Sequence, residues 1–142
     1  MTTPTLNGAV LGQAERASRA VLDRLLARAG TSFHHYLAMN ATAGEGGTIE
    51  REQLVGRMVA GLKLAPATIR VELDSAEAAG LLRTEDGMTS LTDAGRDRFA
   101  RITAATTEVT TRLYADLPAE DLAIAGRMLS ILTERANAEL AS

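Results

Sequence analysis

One segment of this 142-residue chain departs from a helical pattern that otherwise runs nearly end to end, and it narrows the available folds more than any other feature. Residues 81–85 and 88–91 flank Asp86-Gly87, a dipeptide suited to a two-residue turn because both positions tolerate the positive φ that such turns demand. A short β-hairpin is predicted there. Everything around it repeats apolar residues at steps of three and four. Over 12–28 the repeat is Ala14, Ala17, Val21 and Leu25, which predicts a first amphipathic helix ending at Gly30. Thr31 or Ser32 can cap a second helix that runs through Phe33, Tyr36, Leu37 and Asn40 to about Thr42, with residues 43–47 (AGEGG) as a loop. A third helix is predicted over 50–62, capped by Thr48, with Leu54, Met58 and Leu62 on one face. After Lys63-Leu64-Ala65, Pro66 suits the first turn of a fourth helix, because its missing N–H has no intrahelical partner there. Ile69, Leu73 and Ala76 point to one side of that helix, and Gly80 ends it.

Beyond the hairpin, Thr92 caps a long helix marked by Phe99, Ile102, Thr106, Val109 and Leu113, and Pro118 interrupts the pattern. A last helix from Ala119 to about Leu140 repeats it with Leu122, Ala125, Leu129, Leu132 and Ala136. The fold class is therefore all-α with a small β-hairpin. The two terminal regions carry apolar stripes and lack a second layer to bury them. An isologous homodimer buries such stripes best, and a monomeric bundle folded back on the centre is the alternative.

Composition removes several function classes. With no cysteine, disulfides, Cys-ligated zinc or iron–sulfur centres and thiol nucleophiles are excluded, and a reducing cytoplasm suits the chain. No run of about 18 apolar residues is present, and residues 1–8 have neither a basic n-region nor a long apolar stretch, so neither a membrane span nor export is expected. No phosphate-cradling glycine motif, HExxH or nucleophile elbow occurs, so neither an enzyme nor a cofactor is expected. His34 and His35 are the only histidines. As helical neighbours they point about 100° apart and make a poor chelating pair, so no metal is expected either. The net charge of −3 argues against a passive nucleic-acid coat, whose affinity needs accumulated Lys and Arg, but leaves room for a sequence reader.

The order helix, helix, hairpin in the centre has the layout of a winged helix-turn-helix. Three stretches, SFHHYLAMNATA at 32–43, LKLAPATIRVELDSAEAAGLLR at 62–83 and LTDAGRDRF at 91–99, together with the order of elements, resemble the MarR family of bacterial transcriptional regulators over nearly the whole chain. The resemblance implies a winged module at 31–99, dimerisation helices at 1–30 and 100–142, and a homodimer. It further implies a double-stranded, pseudo-palindromic operator, usually repressed, and a small-molecule effector that releases the DNA.

The exposed side of the fourth helix offers Ala67, Thr68, Arg70, Val71, Asp74 and Ser75. Arg70 is the candidate for a bidentate guanine contact, or alternatively an ion pair with Asp74 one turn on. Thr68 suits a phosphate or a thymine methyl, Ser75 lies on the same face, and Lys63 and Arg57 are candidate phosphate contacts. The resemblance sets Arg83, at the base of the hairpin, near the minor groove. It also implies an effector pocket where the first, second and fifth helices meet the winged module, to which His35, Tyr36, Met39 and Tyr114 would contribute.

The chain departs from its relatives in a short wing with an acidic tip and in having Val71 and Ser75 where basic residues are frequent. From Thr48 to Gly95 there are five basic residues and eight acidic ones, a net of −3. A winged-helix dimer that serves as a ligand- or protein-interaction module with weak DNA binding is therefore the second reading.

Overall fold

A computed structural model describes residues 3–142 as six helices and a small antiparallel sheet. Met1 and Thr2, the start of the segment expected to carry no export signal, lie outside the described residues. The chain divides into two compact units, one up to Thr107 and the other Glu108–Ser142.

In the first unit, α1 (Gly8–Arg28) begins one turn before the apolar repeat, because the Asn7 side chain accepts a hydrogen bond from the Val10 N–H. Ser32 caps α2 (Phe33–Gly44) in the same way, accepting from the His35 N–H at 3.1 Å. Gly46 and Gly47 follow with φ of 80° and 98°, a consecutive left-handed pair that turns the chain into strand β1 (Thr48–Glu50). Thr48 was expected to cap the third helix. It lies in this strand instead, because Thr48–Glu50 pairs with residues 88–90, and α3 (Arg51–Leu62) starts without a side-chain cap. Pro66 occupies the first turn of α4 (Pro66–Ala78), and Gly80 follows its end as expected.

Strands β2 (Leu82–Glu85) and β3 (Met88–Leu91) form the predicted hairpin, with Asp86 at φ 53° and Gly87 at φ 76° in a two-residue turn. The sheet has one strand more than expected, in the order β1-β3-β2. The core of this unit joins Leu26, Met39, Leu54, Ile69, Leu73, Leu81 and Ile102, all at most 2% exposed, so every element of the unit contributes to one apolar cluster.

Helix α5 (Asp93–Leu113) starts at Thr92, whose Oγ1 accepts from the Gly95 N–H at 2.9 Å and donates to the Gly80 carbonyl at 2.5 Å. Gly95 is buried against the Leu81 backbone so closely that a Cβ there would lie 2.1 Å from the Leu81 carbonyl oxygen. The LTDAG stretch is thus a packing joint between α5 and the chain entering the hairpin.

The second unit contains the end of α5, a turn with Asp116 at φ 63°, and α6 (Ala119–Ala141) after Pro118. None of the residues of α6 is buried, and Ile124, Met128, Leu129 and Leu132 are exposed. Among the described residues no helix is long and apolar enough to cross a membrane.

Candidate nucleic-acid interface

Helix α4 turns Ile69, Leu73 and Ala76 into the core, and the residues between them are thereby presented outward. Ala67, Thr68, Arg70, Val71, Asp74 and Ser75 are all exposed, as the spacing predicts. Lys63 terminates α3 in the left-handed region at φ 58° and sits, exposed, at the turn between α3 and α4. Arg83 is exposed on β2, opposite Ser90 of β3.

Most polar groups of α4 are engaged by their own chain. Arg70 pairs with Glu52 of α3 at 3.0 Å, not with Asp74. Asp74 is held instead by Arg51 at 2.8 Å, because the same guanidinium reaches Glu77 at 3.0 Å and Thr84 of β2 at 3.2 Å. Thr84 also donates to Glu77 and shares a 2.8 Å hydrogen bond with the fully buried Thr89. Arg51 therefore ties the start of α3, the outer turns of α4 and the hairpin into one polar network, and it sets α4 relative to the hairpin. Sequence reasoning missed this residue. Its signal was a basic side chain in a first helical turn, where the helix dipole disfavours positive charge.

The two histidines also face α4. His34 Nδ1 lies 3.5 Å from Glu72, and His35 Nε2 shares a 3.0 Å hydrogen bond with Ser75 Oγ. Burial holds the pKa of His35 below its ordinary value, opposed by the Glu72 charge and reinforced by His34. One effector-site candidate and one DNA-face candidate are thus in direct contact. Of the other effector-site candidates, Tyr36 stacks on Phe99 of α5 with ring centroids 6.1 Å apart, Met39 is wholly buried, and Tyr114 lies in the second unit with 54% exposure. A cavity of about 330 Å³ is lined by Phe33, Leu37, Met58 and Leu62, with Asn40 and Arg57 as polar members. Arg57 is closed by a 2.5 Å ion pair with Glu45, so it presents little net charge.

A helix pair joined by a tight turn, followed by a hairpin anchored to its second helix, defines a winged helix-turn-helix. No protein-family model matches the sequence, and no curated protein matches it. Solved structures do. Ligand-free NadR is 20% identical, with 97% of this chain and 100% of that one covered at a TM-score of 0.77. The transcriptional regulator PA3341 is 26% identical over 92% of this chain and 98% of its own, at a TM-score of 0.73. Sco5413, a MarR family transcriptional regulator from Streptomyces coelicolor, is 20% identical over 91% of both chains, at a TM-score of 0.72. NadR is also known in complex with 4-hydroxyphenylacetate. The chain has the winged-helix fold of MarR-type transcriptional regulators.

Proposed function

We propose that this chain is the protomer of a cytoplasmic, homodimeric, sequence-specific DNA-binding regulator, a repressor whose operator is released by a small-molecule effector. The observation that carries this reading is α4, whose outward face is fully exposed and held in fixed relation to a two-residue-turn wing by Arg51. Arg70 reads a guanine after exchanging Glu52, and Thr68 and Ser75 make further contacts from the opposite edge of the outward face. Arg57, Lys63 and Arg83 contact phosphate or the adjoining minor groove. The exposed Ile124, Met128, Leu129 and Leu132 of α6 supply the apolar surface that a second copy covers. The effector acts through α2, which carries His35, Tyr36 and Met39 and reaches α4 through the His35–Ser75 hydrogen bond.

A titration of duplex from the region upstream of its own coding sequence, repeated at several salt concentrations, tests the reading. Nanomolar, sequence-dependent binding is expected, with each phosphate contact adding about 0.9 to the slope of log affinity against log salt. Affinity no higher than for random duplex refutes it and favours the interaction module, a reading supported by the net charge of −3 over Thr48–Gly95. Light scattering tests the dimer separately, since a concentration-independent mass near 15.0 kDa contradicts it.

A further inference from the structure

Successive residues of a helix are about 100° apart, so the buried Ile69, Leu73 and Ala76 define one direction of α4 and the residues diametrically opposite are Ala67, Val71 and Ala78. All three are exposed, and among the described residues of the first unit Val71, at 65%, is the most exposed large apolar side chain. Packing within the chain does not account for it. Local propensity disfavours it as well, since a β-branched residue in an exposed helical position is a poorer helix former than Ala. On either side of this line the polar groups are committed: Arg70 to Glu52, Glu72 to His34, Asp74 to Arg51 and Ser75 to His35. Arg70 must give up an ion pair before it reads a base, whereas Val71 has no bond to give up. Thr68 adds a methyl group one turn before Glu72 on the neighbouring edge, and among the described residues its side chain makes no hydrogen bond.

We infer that Val71 determines sequence preference by packing against the 5-methyl group of thymine in the major groove, with Ala67 and Thr68 extending the same apolar contact. The inference rests on the DNA-binding reading above and deepens it by naming the base and the atom that is read. The major-groove edge of an A·T pair presents one apolar group, the thymine methyl, and small aliphatic side chains are its complement. A helix whose outermost line is Ala–Val–Ala, and whose hydrogen-bonding groups are mostly occupied, matches that edge better than the polar edge of G·C.

The experiment selects binding duplexes from a random-sequence pool with the full-length protein, then replaces thymine by uracil in the enriched duplex. Uracil keeps the O4 acceptor and the pairing and removes only the methyl group. Binding is expected to weaken about fourfold for each contacted methyl, the factor equivalent to roughly 0.8 kcal/mol per buried CH₂. Val71→Ala is expected to weaken binding to the thymine duplex, to leave binding to the uracil duplex unchanged, and to melt no lower than the parent protein, because Ala favours the helix. Equal affinity of the parent protein for both duplexes, or full thymine preference retained in Val71→Ala, overturns the inference while the DNA-binding reading stands. Failure of any duplex to enrich removes both, and the face is then one for a protein partner.

Discussion

Replacing Gly95 by Ala sets two physical effects against each other with opposite signs. Helix propensity alone predicts a gain, since Ala is about 1 kcal/mol more favourable than Gly within a helix. Packing predicts a loss, because the new Cβ would stand 2.1 Å from the Leu81 carbonyl oxygen and 3.3 Å from Thr92 Oγ1. The joint must open by roughly 1 Å, and overpacking of that kind costs on the order of 1–3 kcal/mol. The same movement stretches the Thr92 N–H bond to Leu81 O and the bond from Gly95 N–H to Thr92 Oγ1, each contributing about 1 kcal/mol. Packing outweighs propensity, and a net loss of about 1–2 kcal/mol is expected. For a protein of this size that lowers the melting temperature by roughly 3–7 °C. Calorimetry at fixed protein concentration measures it, with Gly56→Ala as the control: Gly56 lies in α3 with nothing within 4 Å of its would-be Cβ. The control is expected to melt higher than the parent. A Gly95→Ala protein as stable as Gly56→Ala would refute the reasoning, because the close approach would then carry no energetic weight.

Arg51→Met should cost about 2 kcal/mol in urea unfolding, since Glu77, on a part-buried site, loses its cation while Thr84 keeps its bond; a change within error would remove Arg51 from its organising role. Glu52→Gln should raise DNA affinity several-fold by freeing Arg70, and Arg70→Ala should lower specific affinity by about 1–3 kcal/mol and relax one base position. An unaltered binding profile in Arg70→Ala rejects base reading by that residue. Because burial lowers the pKa of His35, the unfolded chain takes up this proton at higher pH than the folded one. Stability from His35 is complete above the unfolded value of about 6.5 and declines as the pH is lowered through it, so His35→Gln should flatten the dependence of urea midpoint on pH between about 7 and 5; an unchanged slope would show that the group does not titrate differently on folding.

What the sequence made legible is what neighbours in the chain decide. The start of α2, both ends of α4, the Asp86-Gly87 turn and the start of α5 all follow from caps, Pro66 and glycines within a few residues, whereas α2 runs on to Gly44, into the stretch expected to be a loop. The start of α1 was missed by one turn because Asn7 caps a stretch with no apolar repeat. Strand β1 was invisible for a different reason: three residues with no period of their own become a strand only because β3, some forty positions later, offers its open edge. Side-chain partners failed in the same way. Asp74, one turn from Arg70, was its alternative partner by spacing, but Arg51 of α3 holds it and Arg70 turns to Glu52. His35 and Ser75 were assigned to separate sites, although folding places their side chains in contact.

Thr84, Thr89, Glu77 and Arg51 interlock one rung below the tip of the hairpin, and the Arg51 N–H donates to the Gly87 carbonyl at 2.9 Å, so the two-residue turn is itself tied to the start of α3. Extra residues inserted between Asp86 and Gly87 would therefore loosen the turn's hold on α3 as they lengthen it. Growth at the fingertip and the aim of α4 are thus coupled through one residue, since the backbone of Arg51 holds the first and its side chain the second.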